Sequence, residues 1–415
     1  VITLIEARHY RSLKYIRQPL GPFHVLVGPN ASGKTTFLDV VAFLGRLVSD
    51  GVEAAVEERT LNVRDLMWQR EGDSFELAIE ADVPEELALD DSSVRVRYEV
   101  QVGIHPESNE LAILLERVFL LRVAIEAPTF VALFPAKRQS PTTITHKAKQ
   151  GWRQVIGKTL GGNDNFSPER KPKTGRAWAP SFKIGHRKSA LGMVPEDASQ
   201  FPICMWLKEL LADGVQLFVL NSALIRKPSP PNQRRGFNTD GSNLPWVIHD
   251  LRTNHATRFG EWIAHLRTAL PDIADVDVKV RNEDRHAYLR VKYGHELWVP
   301  SWMVSDGTLR MMALTLPAYI PNFRGIYLIE EPENGIHPKA IETVFQSLSS
   351  VYDAQILIAS HSPIILNQAE PAQLLCFAKD ESGATDVIFG GQHPQLREWQ
   401  RECSLGMLLA AGVLG

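Results

Sequence analysis

Apolar positions follow two different rhythms along this chain. Between residues 305 and 359, helical spacing at 308–319 and 338–352 alternates with short continuous apolar runs at 326–329 and 356–359. Strand–helix–strand alternation of this kind predicts a mostly parallel sheet. Residues 75–80 and 94–100 instead alternate apolar with polar side chains, and 111–123 is apolar with few breaks. A period of two, with turn residues between, predicts an antiparallel sheet that is wet on one face. Further strands are expected at 2–7, 13–17, 23–27, 215–220, 276–281 and 287–293, and helices at 61–68, 201–211 and 253–270. From 137 to 200 the rhythm fails. Gly161, Gly162, Pro168, Pro172, Gly175, Pro180 and Gly185 punctuate what reads as a long loop-rich insertion.

Composition narrows the class. The 415 residues, 44% hydrophobic and 22% charged, suit a globular protein of one large or two moderate domains. No apolar run nears the ~20 residues that cross a bilayer, and the first residues do not read as a signal peptide. Cys204, Cys376 and Cys403 are scattered without a C-x-x-C, so a disulfide framework or zinc site is not expected and a reducing cytoplasm is. The net charge of −3 hides an asymmetry. Residues 137–190 hold thirteen Lys or Arg against Asp164 and Glu169. Such a segment could neutralise DNA or RNA phosphates, with Trp152, Phe166, Trp178 and Phe182 stacking on bases. After nucleic acid, it suits an acidic protein partner and then a solvated loop, and the three readings stay open.

The chemistry concentrates in three places. Residues 28–36 read Gly-Pro-Asn-Ala-Ser-Gly-Lys-Thr-Thr, which fits G-x-x-x-x-G-K-[ST] at Gly28, Gly33, Lys34 and Thr35. A β-prone run precedes it and a long apolar run follows, the strand–turn–helix setting in which backbone N–H groups and a helix N-terminus cradle phosphate. Lys34 would reach the β- and γ-phosphates of ATP, and the Thr35 hydroxyl would sit on Mg²⁺. Residues 326–333, Ile-Tyr-Leu-Ile-Glu-Glu-Pro-Glu, place two carboxylates at the C-terminal end of a buried strand, where open α/β sheets bind ligands. Glu330 suits the metal shell and Glu331 the attacking water. Residues 356–363, Ile-Leu-Ile-Ala-Ser-His-Ser-Pro, end a second such strand at His361, which could hydrogen-bond a γ-phosphate.

Taken in order, Walker A at 28–35, Walker B at 326–331 and a switch histidine at 361 resemble ABC-type ATPase heads of the SMC/RecF kind. Val304-Ser-Asp-Gly-Thr-Leu-Arg310 stands where such heads carry their signature motif. Residues 8–13, 240–244, 331–338 and 405–415 look like the compact bacterial "predicted ATPase" branch of phage-defence modules, relatives of OLD nucleases and of Septu and PARIS-type ATPase subunits. The resemblance implies an α/β ABC-ATPase head with a mixed or parallel core sheet, an antiparallel β-lobe and an inserted basic loop-rich segment. Residues 1–66 and 201–415 would be its halves, 67–136 the lobe and 137–200 the insertion.

It also implies a head-to-tail homodimer, or a higher homo-oligomer, that sandwiches ATP and Mg²⁺. The nucleotide would meet Gly28, Asn30, Ser32, Gly33, Lys34, Thr35 and Thr36 of one copy and Ser305 and Gly307 of the other. Thr35 and Glu330 would hold the metal, and Glu331, His361 and Lys34 would carry slow hydrolysis that gates a separate effector protein, a nuclease or toxin. Three features depart from the family. The signature Leu-Ser-Gly-Gly-Gln is Val-Ser-Asp-Gly-Thr here, Walker B ends Glu-Glu, and Gln69 is a weak Q-loop candidate. Too few residues follow His361 for a Toprim domain, so an intrinsic nuclease is not expected. The rival readings are a RecF-like repair or chromosome-maintenance ATPase acting on DNA, a transporter ATPase subunit, and a scaffold that binds ATP without turnover.

Overall fold

A computed structural model describes residues 1–87, 94–122, 133–147, 149–170, 178–232, 236–294 and 296–394. Cys403 and the family likeness at 405–415 lie outside them. Strands β1 (Ile2–Tyr10), β2 (Leu13–Pro19) and β3 (Phe23–Val27) lead into the helix Lys34–Asp50. Then come β4 (Ser74–Asp82), β5 (Val94–Ile104), β6 (Leu111–Arg122), β7 (Trp152–Thr159), β8 (Asp164–Phe166) and β9 (Ser181–Phe182). These form an antiparallel sheet ordered β2-β1-β4-β5-β6-β7-β8-β9, so its strands come from residues 1–66, 67–136 and 137–200 alike.

The second half adds β10 (Val215–Phe218), then β11 (Ile273–Val280), β12 (Ala287–Tyr293) and β13 (Leu297–Pro300), which form a small antiparallel sheet of their own. It closes with β14 (Ile326–Glu330), β15 (Gln355–Ala359), β16 (Leu374–Lys379) and β17 (Thr385–Phe389). The core sheet runs β10-β14-β15-β3-β16-β17, parallel throughout except for the last pair. Its strands alternate sides between two cores. Leu26, Ile326, Leu328 and Leu357 pack with Phe37 and Phe43 of the first helix. Val25, Val27, Tyr327, Ile329 and Ile358 pack with Leu309, Met312 and Val344 on the other face. Burial on both faces explains why β14 and β15 read as unbroken apolar runs. The mixed core sheet and antiparallel lobe agree with the fold class expected from sequence.

One expectation is corrected. The polar face of the antiparallel sheet is not wet around Arg97, where residues 141–146 cover it, although it opens to solvent toward Asp82 and Arg95. Arg97, 2% exposed, donates to Glu6 at 2.7 Å, Glu80 at 3.1 Å, Glu99 at 2.6 Å and the Ile144 carbonyl at 3.2 Å. Glu76 accepts from the Ile144 N–H, and Glu99 from the His146 N–H. Period two therefore marks two buried faces here, one apolar and one ionic. Replacing Arg97 by Met should strand three buried carboxylates and lower stability by about 3–5 kcal/mol, measured by urea denaturation.

Smaller differences have local causes. The helix expected at 253–270 is two helices, Leu244–Asn254 and Ala256–Ala269, meeting at His255. Residues 61–68 hold a 3-10 turn, Val63–Leu66, rather than an α-helix. In the insertion, Phe166 is buried and stacked on Phe182, 5.4 Å between centroids, so it cannot stack on a base. Several cations there are engaged inside the chain. Arg138 pairs with Asp386, Lys158 with Asp164, and Arg187 with Glu53 and Glu110, while Lys188 donates to the Asp50 carbonyl. Among the described residues no helix is long and apolar enough to cross a membrane.

Candidate functional site

The C-terminal ends of β3, β14, β15 and β16 open into one pocket of about 580 Å³. The turn after β3 bends sharply. Gly28 has φ 148° and Gly33 φ 106°, both disfavoured for residues with a Cβ. A Cβ would also stand 2.2 Å from the Phe377 carbonyl oxygen at Gly28 and 2.3 Å from Thr385 Oγ1 at Gly33. Thr385 donates its hydroxyl to the Ser32 carbonyl at 2.8 Å and lies in hydrogen-bond contact with Ser12 Oγ at 3.1 Å, binding β17 to this turn. The helix that follows begins at Lys34 with no side-chain cap and no acidic residue in its first turn. Its N–H groups and partial positive charge are therefore left for an anion.

Lys34 is buried, and its ammonium donates to the carbonyls of Gly28 at 2.8 Å and Pro29 at 2.9 Å. Burial pushes its pKa down to about 8, against the opposing pull of Glu331 and Glu330. The Ser32 hydroxyl is buried with no hydrogen-bond partner, which leaves a donor for a ligand. Glu330 is raised by burial, with Glu331 and Asp39 adding to that rise, while the Thr35 hydroxyl bonds to it and opposes it. A half-buried carboxylate bonded to a hydroxyl beside a second carboxylate is a donor set suited to a hard divalent cation. Among the described residues no group of three or more His, Cys, Asp or Glu forms a protein-only metal cage.

Glu331 lies just past β14 at φ 45°, strained for a residue with a Cβ, and its N–H donates to Ala359 at 2.8 Å. Glu333 accepts from the Ser360 hydroxyl at 2.9 Å and the His361 N–H at 2.8 Å, tying the acidic turn to the histidine turn. His361 is lowered by burial, then by Lys34 nearby.

The fold thus gathers Asn30, Ser32, Gly33, Lys34, Thr35, Thr36, Glu330, Glu331 and His361 on one pocket wall. Gly28 contributes a backbone carbonyl to Lys34 instead. Ser305 and Gly307 are not part of that wall. Ser305 accepts from the Thr308 N–H at 3.2 Å as N-cap of the helix Asp306–Thr315, and a Cβ on Gly307 would stand 2.8 Å from the Gly335 carbonyl oxygen. Gln69 is exposed and also outside the wall. Arg11, Ser12 and Lys379 line the pocket without having been singled out as site residues. Arg11 pairs at 3.1 Å with Asp39, which also accepts from Tyr10 and Arg59. Residues 8–13 carried part of the family likeness, and Lys379 ends an apolar run, Leu-Leu-Cys-Phe-Ala, that signals a strand.

The chain is similar to known proteins in family and in fold. A family model described as "AAA domain, putative AbiEii toxin, Type IV TA system" matches residues 23–146 and 211–367, most of the chain. The intervening gap covers much of the basic insertion. An SmcHead solved with the C-winged helix domain of ScpA is similar in fold, with a TM-score of 0.55 at 14% identity over 93% of this chain and 97% of that one. A structure from work on ATP-driven dimerization and DNA-stimulated activation of SMC ATPases overlaps 38% of this chain and 99% of its own, at 12% identity and a TM-score of 0.29. No curated protein matches the sequence.

Proposed function

The chain belongs to this AAA-domain family, and from that premise we propose that it binds and slowly hydrolyses ATP as a homodimer whose state gates a separate effector. The observation that carries the reading is the convergence of a buried cation, an uncapped helix N-terminus and two carboxylates on one pocket. In this reading the Gly28–Thr36 turn holds the triphosphate, and Lys34 draws its ammonium from the Gly28 and Pro29 carbonyls to the β- and γ-phosphates. Thr35 and Glu330 hold Mg²⁺, whose chemistry is to neutralise developing phosphate charge. Glu331 accepts a proton from the attacking water, and His361 donates a hydrogen bond to the γ-phosphate.

Ser305 and Gly307 stand outside their own pocket and so would serve the nucleotide of a second copy. Beside them Trp302 is 48% and Met303 71% exposed, apolar area that a second copy would cover. The output is placed in an effector protein, with phage defence as the setting suggested by the family resemblance. DNA held by residues 137–190 is the lesser reading because Arg138, Lys158 and Arg187 are already in ion pairs within the chain. Phosphate release from ATP by the purified chain tests the proposal: slow, Mg²⁺-dependent release is expected, and neither ATP binding nor release would refute it.

A further inference from the structure

The turn that carries Ser305 is held from outside by one side chain. Arg226 donates through Nη2 to the Val304 carbonyl at 2.7 Å and pairs with the Asp306 carboxylate at 2.8 Å. It thereby grips the residue on each side of Ser305. Its own carbonyl accepts from the Ser301 hydroxyl at 2.9 Å, closing a ring of contacts around residues 301–306.

Arg226 sits on a firm base. It ends the helical turn Ser222–Ile225, which Asn221 caps by accepting from the Ala223 N–H at 3.0 Å. The Asn221 N–H donates to the Asp240 carbonyl, and Ile225 is fully buried. The signature helix reaches back to the same base, since Arg310 donates to the Leu220 carbonyl at 2.8 Å and Ser222 Oγ at 3.2 Å. Leu220 follows β10, which pairs along its length with β14, the strand that delivers Glu330. The turn bearing Ser305 is therefore tied to the strand bearing the carboxylates.

One feature speaks against a role in stability alone: the Arg226 and Asp306 side chains are 35% and 57% exposed, a setting in which ion pairs add little.

We propose that Arg226 is a positioning residue that fixes the Ser305–Gly307 turn in the orientation needed to meet the nucleotide of a second copy. The inference rests on the sandwich reading above. A turn that must meet a phosphate across an interface gains from being set beforehand, because about 1 Å of misplacement can cost on the order of 100-fold in rate.

The test compares wild type, Arg226→Ala and Arg226→Lys for ATP affinity, ATP-dependent dimerisation and turnover, with melting temperature as a control. Arg226→Ala should keep ATP affinity within about twofold and melting nearly unchanged, yet lose about 10- to 100-fold in kcat and in dimer formation. Arg226→Lys, which keeps the charge but not the planar fork, should recover part of that loss. Wild-type dimerisation and turnover in Arg226→Ala would overturn the inference. So would a parallel collapse of melting temperature and ATP affinity, which would make the residue merely structural. If wild type forms no dimer with ATP, the sandwich reading itself fails and this inference falls with it.

Discussion

Glu331→Gln should leave ATP bound but almost unhydrolysed, with turnover lower by about 100- to 10,000-fold and affinity little changed. The amide keeps the size and pocket position of the carboxylate while losing the ability to take a proton from water. The backbone at this position is set independently of the side chain, by the bond from its N–H to Ala359 and by Pro332 directly after it. The left-handed φ costs on the order of 1–3 kcal/mol, and a fold that pays it gains a carboxylate aimed off the end of β14. Phosphate release and nucleotide binding measured on the same sample check this outcome. Unchanged turnover would assign the proton to another group.

Lys34→Ala should instead weaken binding. Truncating one partner of a buried charged contact costs about 2–5 kcal/mol, at least about 30-fold in ATP affinity. Titration calorimetry reads that loss directly. Stability should not fall with it. Burial holds Lys34 down to about 8, below the ordinary lysine value of 10.5. Keeping it charged at neutral pH therefore opposes folding, and that burden is relieved only as pH rises through 8 toward 10.5. Removing the ammonium removes the burden but also leaves the Gly28 and Pro29 carbonyls without their donor, so the melting temperature at pH 7 should change little. A protein that loses both ATP binding and its fold would show Lys34 to be structural.

The sequence made the centre of the site legible because its demands are local. A strand, a glycine turn and a helix N-terminus are contiguous at residues 23–44, and Glu330 and His361 each follow a short apolar run of the kind a doubly buried strand shows. What stayed hidden depended on distant pairing. Alternation in β4 and β5 carried no sign that Glu76 and Glu99 would meet residues 143–146 rather than water. Arg11 enters the pocket through the turn between β1 and β2, and Lys379 through a strand paired with β3, and neither position carries a spacing signal that ties it to the Gly28–Thr36 turn. Arg226 could not be found from spacing at all, since its partners Val304 and Asp306 lie far along the chain.

This pocket is expected to be half of a site completed by a second copy, and the light-scattering mass of Glu331→Gln with and without saturating ATP and Mg²⁺ reads that directly. One chain is expected without nucleotide and two with it, the shift being lost when Lys34→Ala is added. A single-chain mass at saturating ATP, with ATP demonstrably bound, would contradict it.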